Sequence, residues 1–143
     1  MRSVSIISGC STLHGALRSA ERNWVRRLDA ALSADNLTDD HWAILTQLST
    51  EHGVTMSELA AQARLAPSSA TRHADNLAER GLIFRVAATD DRRRILIGLS
   101  SLGAKLVAKI RREEQLAEEE LKARLGARRY NDLVAALAVI ADQ

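Results

Sequence analysis

The stretch from Thr55 to Gly81 constrains the fold of this chain more than any other. It opens Thr55-Met56-Ser57-Glu58, where the threonine hydroxyl can accept from the third backbone amide of a helix while the glutamate reaches back to the Thr55 amide. That arrangement is a capping box. Met56, Leu59, Ala60 and Ala63 then fall on one side of a short helix. Only Arg64 to Ala66 separate it from Pro67, the single proline, which is favoured at the first position of a helix because its missing N–H is not needed there. A second helix puts Ala70, Ala74 and Leu77 on one side and closes at Arg80-Gly81. Two short helices joined by a turn of about three residues form a helix-turn-helix pattern.

The flanks extend it. Leu82 to Ala87 is rich in β-formers and Ile95, Ile97 and Leu99 alternate, which predicts two strands around a polar tip, Ala88-Thr89-Asp90-Asp91-Arg92, the shape of a wing. Upstream, Leu13, Leu17, Ala20, Trp24, Leu28 and Leu32 recur at steps of three and four on a long first helix ending near Ala34. Such a narrow seam at a chain end suits another helix or a second subunit. Thr38, with Asp39 and Asp40 behind it, caps the next helix; Trp42, Leu45 and Leu48 form its buried side and Gly53 is placed to stop it. Ser100 caps a long helix with Leu102, Leu106, Ile110, Ala117 and Leu121 facing one way, and beyond Gly126 a last helix carries Tyr130, Leu133, Leu137 and Ile140. The fold class is mainly α (α+β), a winged helix-turn-helix, with residues 1–143 as one domain.

Composition excludes other classes. At 46% hydrophobic and 27% charged the chain is in the globular range, and no apolar run approaches the ~18 residues needed to span a bilayer. Trp24, Trp42, Phe84 and Tyr130 are the only aromatics, too few for an RNA-stacking platform or an aromatic sugar cleft. The single Cys10 fits a reducing cytoplasm; Ile7-Ser8-Gly9-Cys10 resembles a lipoprotein cleavage box, but only Val4 to Ile7 precede it as an apolar stretch, so export is not expected. There is no nucleophile elbow, phosphate loop or His-Glu metal motif, and His14, His41, His52 and His73 are dispersed. No catalysis, metal, cofactor or membrane partner is expected.

The chemistry that remains is DNA recognition. The first turns of the second short helix offer Ser68, Ser69, Thr71 and Arg72: hydroxyls suit phosphates or base edges, and a guanidinium suits guanine O6 and N7 in the major groove. Net charge is only +2, but from Arg64 to Arg94 seven arginines face Asp75, Glu79, Asp90 and Asp91, a local excess of +3. Arg92, Arg93 and Arg94 at the wing suit a minor groove. Strand alternation puts Arg92 and Arg94 on one side and Arg93 on the other, so that one of them pairs with Asp91 or Asp75. His73, one step past Arg72, is expected to be a partly exposed structural histidine.

Thr55-Met-Ser-Glu-Leu-Ala, Leu65 to Arg72, Asn76-Leu-Ala-Glu-Arg-Gly-Leu-Ile, and Asp91-Arg92-Arg93 followed by Leu99-Ser100-Xaa-Xaa-Gly103 resemble the MarR family of bacterial transcriptional regulators over most of the chain. The resemblance implies a homodimer built from helices in residues 11–34 and 100–143, with residues 38–99 as the winged helix-turn-helix that reads half of a pseudo-palindromic double-stranded DNA operator, most simply as a repressor. It places recognition positions on Ser68, Ser69, Thr71 and Arg72, and a wing arginine on Arg93 held by Asp91. Ala66 departs from a usual capping serine, and Ala70 and Ala74 from bulkier aliphatics. Two further expectations come with the family: a small aromatic or phenolic ligand in a crevice lined by Trp24, Arg27, His41 and Trp42, each ring also fitting a core position, and redox sensing through Cys10. The alternative of another class is a winged-helix protein-interaction module without operator binding.

Overall fold

The computed structural model describes residues 12–142, and Cys10 lies outside them. The chain runs α1 (Leu13–Ala34), α2 (Asp39–Thr50), α3 (Met56–Gln62), α4 (Pro67–Glu79), β1 (Ile83–Ala87), β2 (Ile95–Leu99), α5 (Ser101–Leu125) and α6 (Ala127–Ala141). No helix among the described residues is long and apolar enough to cross a membrane.

Local chemistry sets the helix boundaries. Thr55 Oγ1 accepts from the Glu58 amide at 3.3 Å and Glu58 Oε2 accepts from the Thr55 amide at 2.8 Å, so the capping box closes and holds the Glu58 carboxyl below the usual range. Three helices end on one device. Past α1, α3 and α4, Asn36 (φ 55°), Arg64 (φ 56°) and Gly81 (φ 70°) take the left-handed conformation, and the next amide reaches back five residues: Leu37 to Leu32, Leu65 to Ala60 and Leu82 to Leu77. Glycine adopts this freely, whereas Asn36 and Arg64 do so against roughly 1–2 kcal/mol of strain. Gly53 is also left-handed (φ 71°), but α2 has already ended at Thr50; the glycine instead turns the chain so that Val54 bridges Ile97 on the open edge of β2.

β1 and β2 pair antiparallel with Phe84 opposite Gly98 and Ala87 opposite Ile95. Gly98 makes room for the Phe84 ring, since a Cβ there would lie 2.4 Å from its Cζ. At the far end of β2, Ser100 Oγ donates to Gly81 O at 2.6 Å and accepts from the Gly103 amide at 3.0 Å. α5 therefore starts hard against the end of α4. A Cβ on Gly103 would meet Leu82 O at 2.1 Å, which is the physical reason the Leu99-Ser100-Xaa-Xaa-Gly103 pattern needs its glycine.

The core joins Leu28 and Leu32 of α1 to Ile44, Leu45 and Leu48 of α2, with Leu59, Leu77, Ile97 and Ile110 closing it. Each fully buried aliphatic contributes about 1.5–3 kcal/mol. The expected faces of the long helices are corrected in two places. Gly103, Val107, Ile110 and Ala117 are the buried line of α5, and Leu102 is 55% exposed, because the close approach at Gly103 rotates the helix away from a leucine seam. On α1 only Leu28 and Leu32 are buried, while Leu13 is 66% exposed. No residue of α6 is buried, and Leu133, Val134, Leu137 and Ile140 are 40–49% exposed.

Candidate nucleic-acid interface

α3 packs on α2 and α4, and α4 turns Ala70, Ala74 and Leu77 fully inward. Helical geometry then leaves Ser68, Thr71 and Arg72 exposed on the opposite side and Ser69 half-buried. Ala66 occupies the N-cap of α4 without a side-chain hydrogen bond, and Pro67 stands at the first helical position. The first amides of α4 thus lack a side-chain cap, and this is the positive end of the helix dipole. Thr71 Oγ1 donates to Pro67 O at 3.0 Å, so its proton is engaged within the helix, whereas neither Ser68 nor Ser69 has a hydrogen-bonding side-chain partner among the described residues.

The seven arginines between Arg64 and Arg94 separate into two groups. Arg64 donates to Ala141 O at 2.5 Å, Arg80 to Asp35 O and Asn36 O, Arg85 to Asp75 Oδ1 at 2.5 Å, and Arg94 lies 4.0 Å from Asp90. Arg72, Arg92 and Arg93 have no ion-pair or hydrogen-bonding side-chain partner among the described residues, and all three are exposed. The unneutralised charge is therefore on the exposed side of α4 and at the wing tip.

The wing tip corrects the alternation argument. Residues 88–94 are not strand: Arg94 N–H donates to Asp91 O at 3.0 Å and Ala88 N–H to Arg94 O at 2.8 Å, closing a turn with Arg92 and Arg93 at its apex. Asp91 Oδ1 accepts from the Arg93 backbone N–H at 3.0 Å. The carboxylate shapes the backbone and leaves the Arg93 guanidinium outward. Asp75 is engaged by Arg85, a pairing no sequence rule signals because it joins α4 to β1.

A second constellation links α2 to α4. His41 is buried (7% exposed) and closes an unexpected capping box, its Nδ1 accepting from the Thr38 amide at 3.1 Å. His41 Nε2 lies 3.3 Å from His73 Nδ1, and His73 Nε2 lies 3.2 Å from Asp40 Oδ2, near enough for attraction but outside hydrogen-bond alignment. An amide only donates, so the His41 Nδ1 is unprotonated and its Nε2 carries the hydrogen toward His73. Burial, with the His73 and Arg80 charges behind it, lowers the His41 pKa against the opposing pull of Asp40. Burial and the carboxylates of Asp40, Glu21 and Asp29 raise that of Asp39. His73 faces inward, with its side chain 13% exposed.

The residues expected to line a ligand crevice are placed apart in character. Trp42 and His41 are buried, Trp24 is half-buried, and Arg27 is paired with Glu120 of α5. Of two surface clefts, one of about 310 Å³ beside Arg22 and Arg26 and one of about 380 Å³ beside Leu48, His52 and Val107, neither is lined by any of the four.

Residues 37–95 match the model of the MarR family, a span that runs from just before α2 to the first residue of β2. A relative in Neisseria gonorrhoeae, the HTH-type transcriptional regulator FarR, is 32% identical over 114 residues, 78% of each chain. Among solved structures, NadR in complex with 4-hydroxyphenylacetate is 26% identical, with 94% of this chain and 95% of that one superposed at a TM-score of 0.82. The repressor CouR bound to a 23-mer DNA duplex shares the fold at 24% identity and a TM-score of 0.82, over 91% of this chain and 92% of that one.

Proposed function

The chain belongs to the MarR family of HTH-type transcriptional regulators, and from that premise we propose that it is a homodimeric repressor, residues 38–99 of each protomer reading one half of a pseudo-palindromic operator. The observation that carries this is the segregation of unpartnered charge. Arg72 on α4, and Arg92 and Arg93 at the wing tip, are the members of the basic cluster with no internal partner among the described residues. Arg72, with Ser68, Ser69 and Thr71, reads base edges and phosphates in the major groove; Arg92 and Arg93 enter the adjacent minor groove, with Asp91 holding the turn and Arg94 partly neutralised by Asp90. Homodimerisation covers the exposed leucine and valine side of α6 and the uncovered N-terminal half of α1.

The effector is a small phenolic acid, by analogy with the 4-hydroxyphenylacetate held by NadR. In this reading Arg27 exchanges the Glu120 carboxylate for that of the ligand. Ligand-dependent thermal shifts over a series of hydroxylated aromatic acids test it: no shift, with operator affinity unchanged, removes the effector from the proposal.

The operator reading is tested by fluorescence-anisotropy titration of a duplex from the gene's own upstream region and of a scrambled duplex, at two salt concentrations. The upstream duplex is expected to bind tighter, with log affinity falling by about 0.9 per phosphate contacted for each tenfold rise in salt. Equal, salt-indifferent binding to both duplexes would favour an interaction module.

A further inference from the structure

We propose that Arg80 sets the angle of the recognition helix α4 against the dimerisation helices, and thereby the spacing between half-sites that the dimer accepts. The inference rests on the operator-binding reading above and adds a positioning residue to it. Arg80 is the C-cap of α4, and its half-buried side chain leaves the helix to donate Nη2 to Asp35 O at 2.5 Å and Nη1 to Asn36 O at 3.0 Å. Those carbonyls are the end of α1, where a helix carries partial negative charge, so a guanidinium is bound there by charge as well as by two hydrogen bonds. Asp35 is held from a third side, its carboxylate 2.7 Å from Lys109 Nζ of α5. Arg80, Asp35 and Lys109 thus join α4, α1 and α5. At the opposite end of α4 the preceding turn has its own strut, Arg64 to Ala141 O at the end of α6.

Polar struts matter here because the apolar contact of α4 registers poorly. Its inward side is Ala70, Ala74 and Leu77, and two methyl groups interlock with neighbouring helices far less than branched aliphatics do. The other polar ties of α4, His73 to His41 and Asp40 of α2 and Asp75 to Arg85 of β1, leave its C-terminal junction with α1 to Arg80. A helix of 13 residues is about 20 Å long, so a pivot of about 10° at Arg80 moves the base-reading end by about 3.4 Å, one base-pair step.

In vitro selection from a randomised duplex pool, with the full chain and with Arg80→Ala and Arg80→Lys, tests the proposal. The unsubstituted chain is expected to enrich two half-sites at one fixed separation. Arg80→Ala is expected to enrich the same half-site bases at separations spread by about one base pair either way, and Arg80→Lys, which can reach one carbonyl, a narrower spread. Should Arg80→Ala fail to fold by circular dichroism, Lys109→Ala loosens the same junction from α5 and is expected to broaden the spacing as well. A folded variant that keeps the single separation overturns the role of Arg80. An unsubstituted chain that enriches no paired half-sites overturns the operator reading instead.

Discussion

At the scale of single residues, arginines of the same type fall into different roles according to what already holds them. Arg85 is neutralised by Asp75, whereas Arg72 and Arg93 have no side-chain partner among the described residues and can meet a new anion. Arg72→Ala is expected to weaken operator binding by about 1–3 kcal/mol and relax preference at one base position, while Arg93→Ala weakens binding to all duplexes alike and reduces the salt slope by about one; anisotropy titrations against single-substitution duplexes at several salt concentrations separate the two. Equal losses on every duplex for Arg72→Ala would assign that residue to phosphate. Gly103 is a residue-scale constraint of the opposite kind, set by space. Gly103→Ala brings a Cβ to 2.1 Å from a backbone oxygen that Leu82 cannot withdraw without disturbing the start of β1, so a loss of about 1–3 kcal/mol is expected in urea unfolding.

At the scale of elements, the contact between α2 and α4 includes a chain of polar groups running from the Thr38 amide through His41 to His73. A proton added at His41 Nδ1 displaces the Thr38 amide. The folded chain therefore prefers His41 neutral, in keeping with its lowered pKa. Between that folded value and the ordinary imidazole value near 6.5, the unfolded chain binds more protons, so stability is fully present above about 6.5 and falls as the pH drops through the folded value. Asp40 nearby opposes this shift and Arg80 reinforces it. Asp39, with its raised pKa, acts with the opposite sign, its contribution present at low pH and lost as the pH rises through its folded value. Thermal unfolding from pH 5 to 7.5 is expected to show stability rising with pH, and His41→Asn to flatten that slope while lowering stability at pH 7 by about 1 kcal/mol through the lost capping box. A slope unchanged in His41→Asn would place the titrating group elsewhere.

At the scale of the whole molecule, the uncovered apolar side of α6 is large for a chain that works alone. Leu133, Leu137 and Ile140 lie one helical turn apart and stay 40–42% exposed, next to Val134 at 49%. Leu137→Glu is expected to weaken self-association by at least about 2 kcal/mol, roughly thirtyfold, and sedimentation velocity across protein concentrations measures it directly. Operator affinity is expected to fall with it, since each half-site alone offers half the contacts. An unchanged oligomer would move the interface off α6.

The elements whose causes are local were legible in the sequence. The Thr55 box, the Pro67 start, the Gly81 stop and the Ser100 cap need only neighbours within a few residues, and the buried line Ala70, Ala74 and Leu77 follows from helical period alone. The candidate DNA-reading residues on α4 were legible for the same reason, because exposure opposite a buried side is a local property. What the tertiary structure decided is everything that joins distant positions: Arg85 to Asp75, Arg80 to the end of α1, Arg64 to the end of α6, His41 to His73, and the rotation of α5 forced by Leu82 against Gly103. The wing tip failed as an extrapolation of strand period because two backbone hydrogen bonds and the Asp91 carboxylate turn it first. Periodicity and capping act through bonds between near neighbours, whereas pairing of charges across helices depends on which faces the packed core brings together.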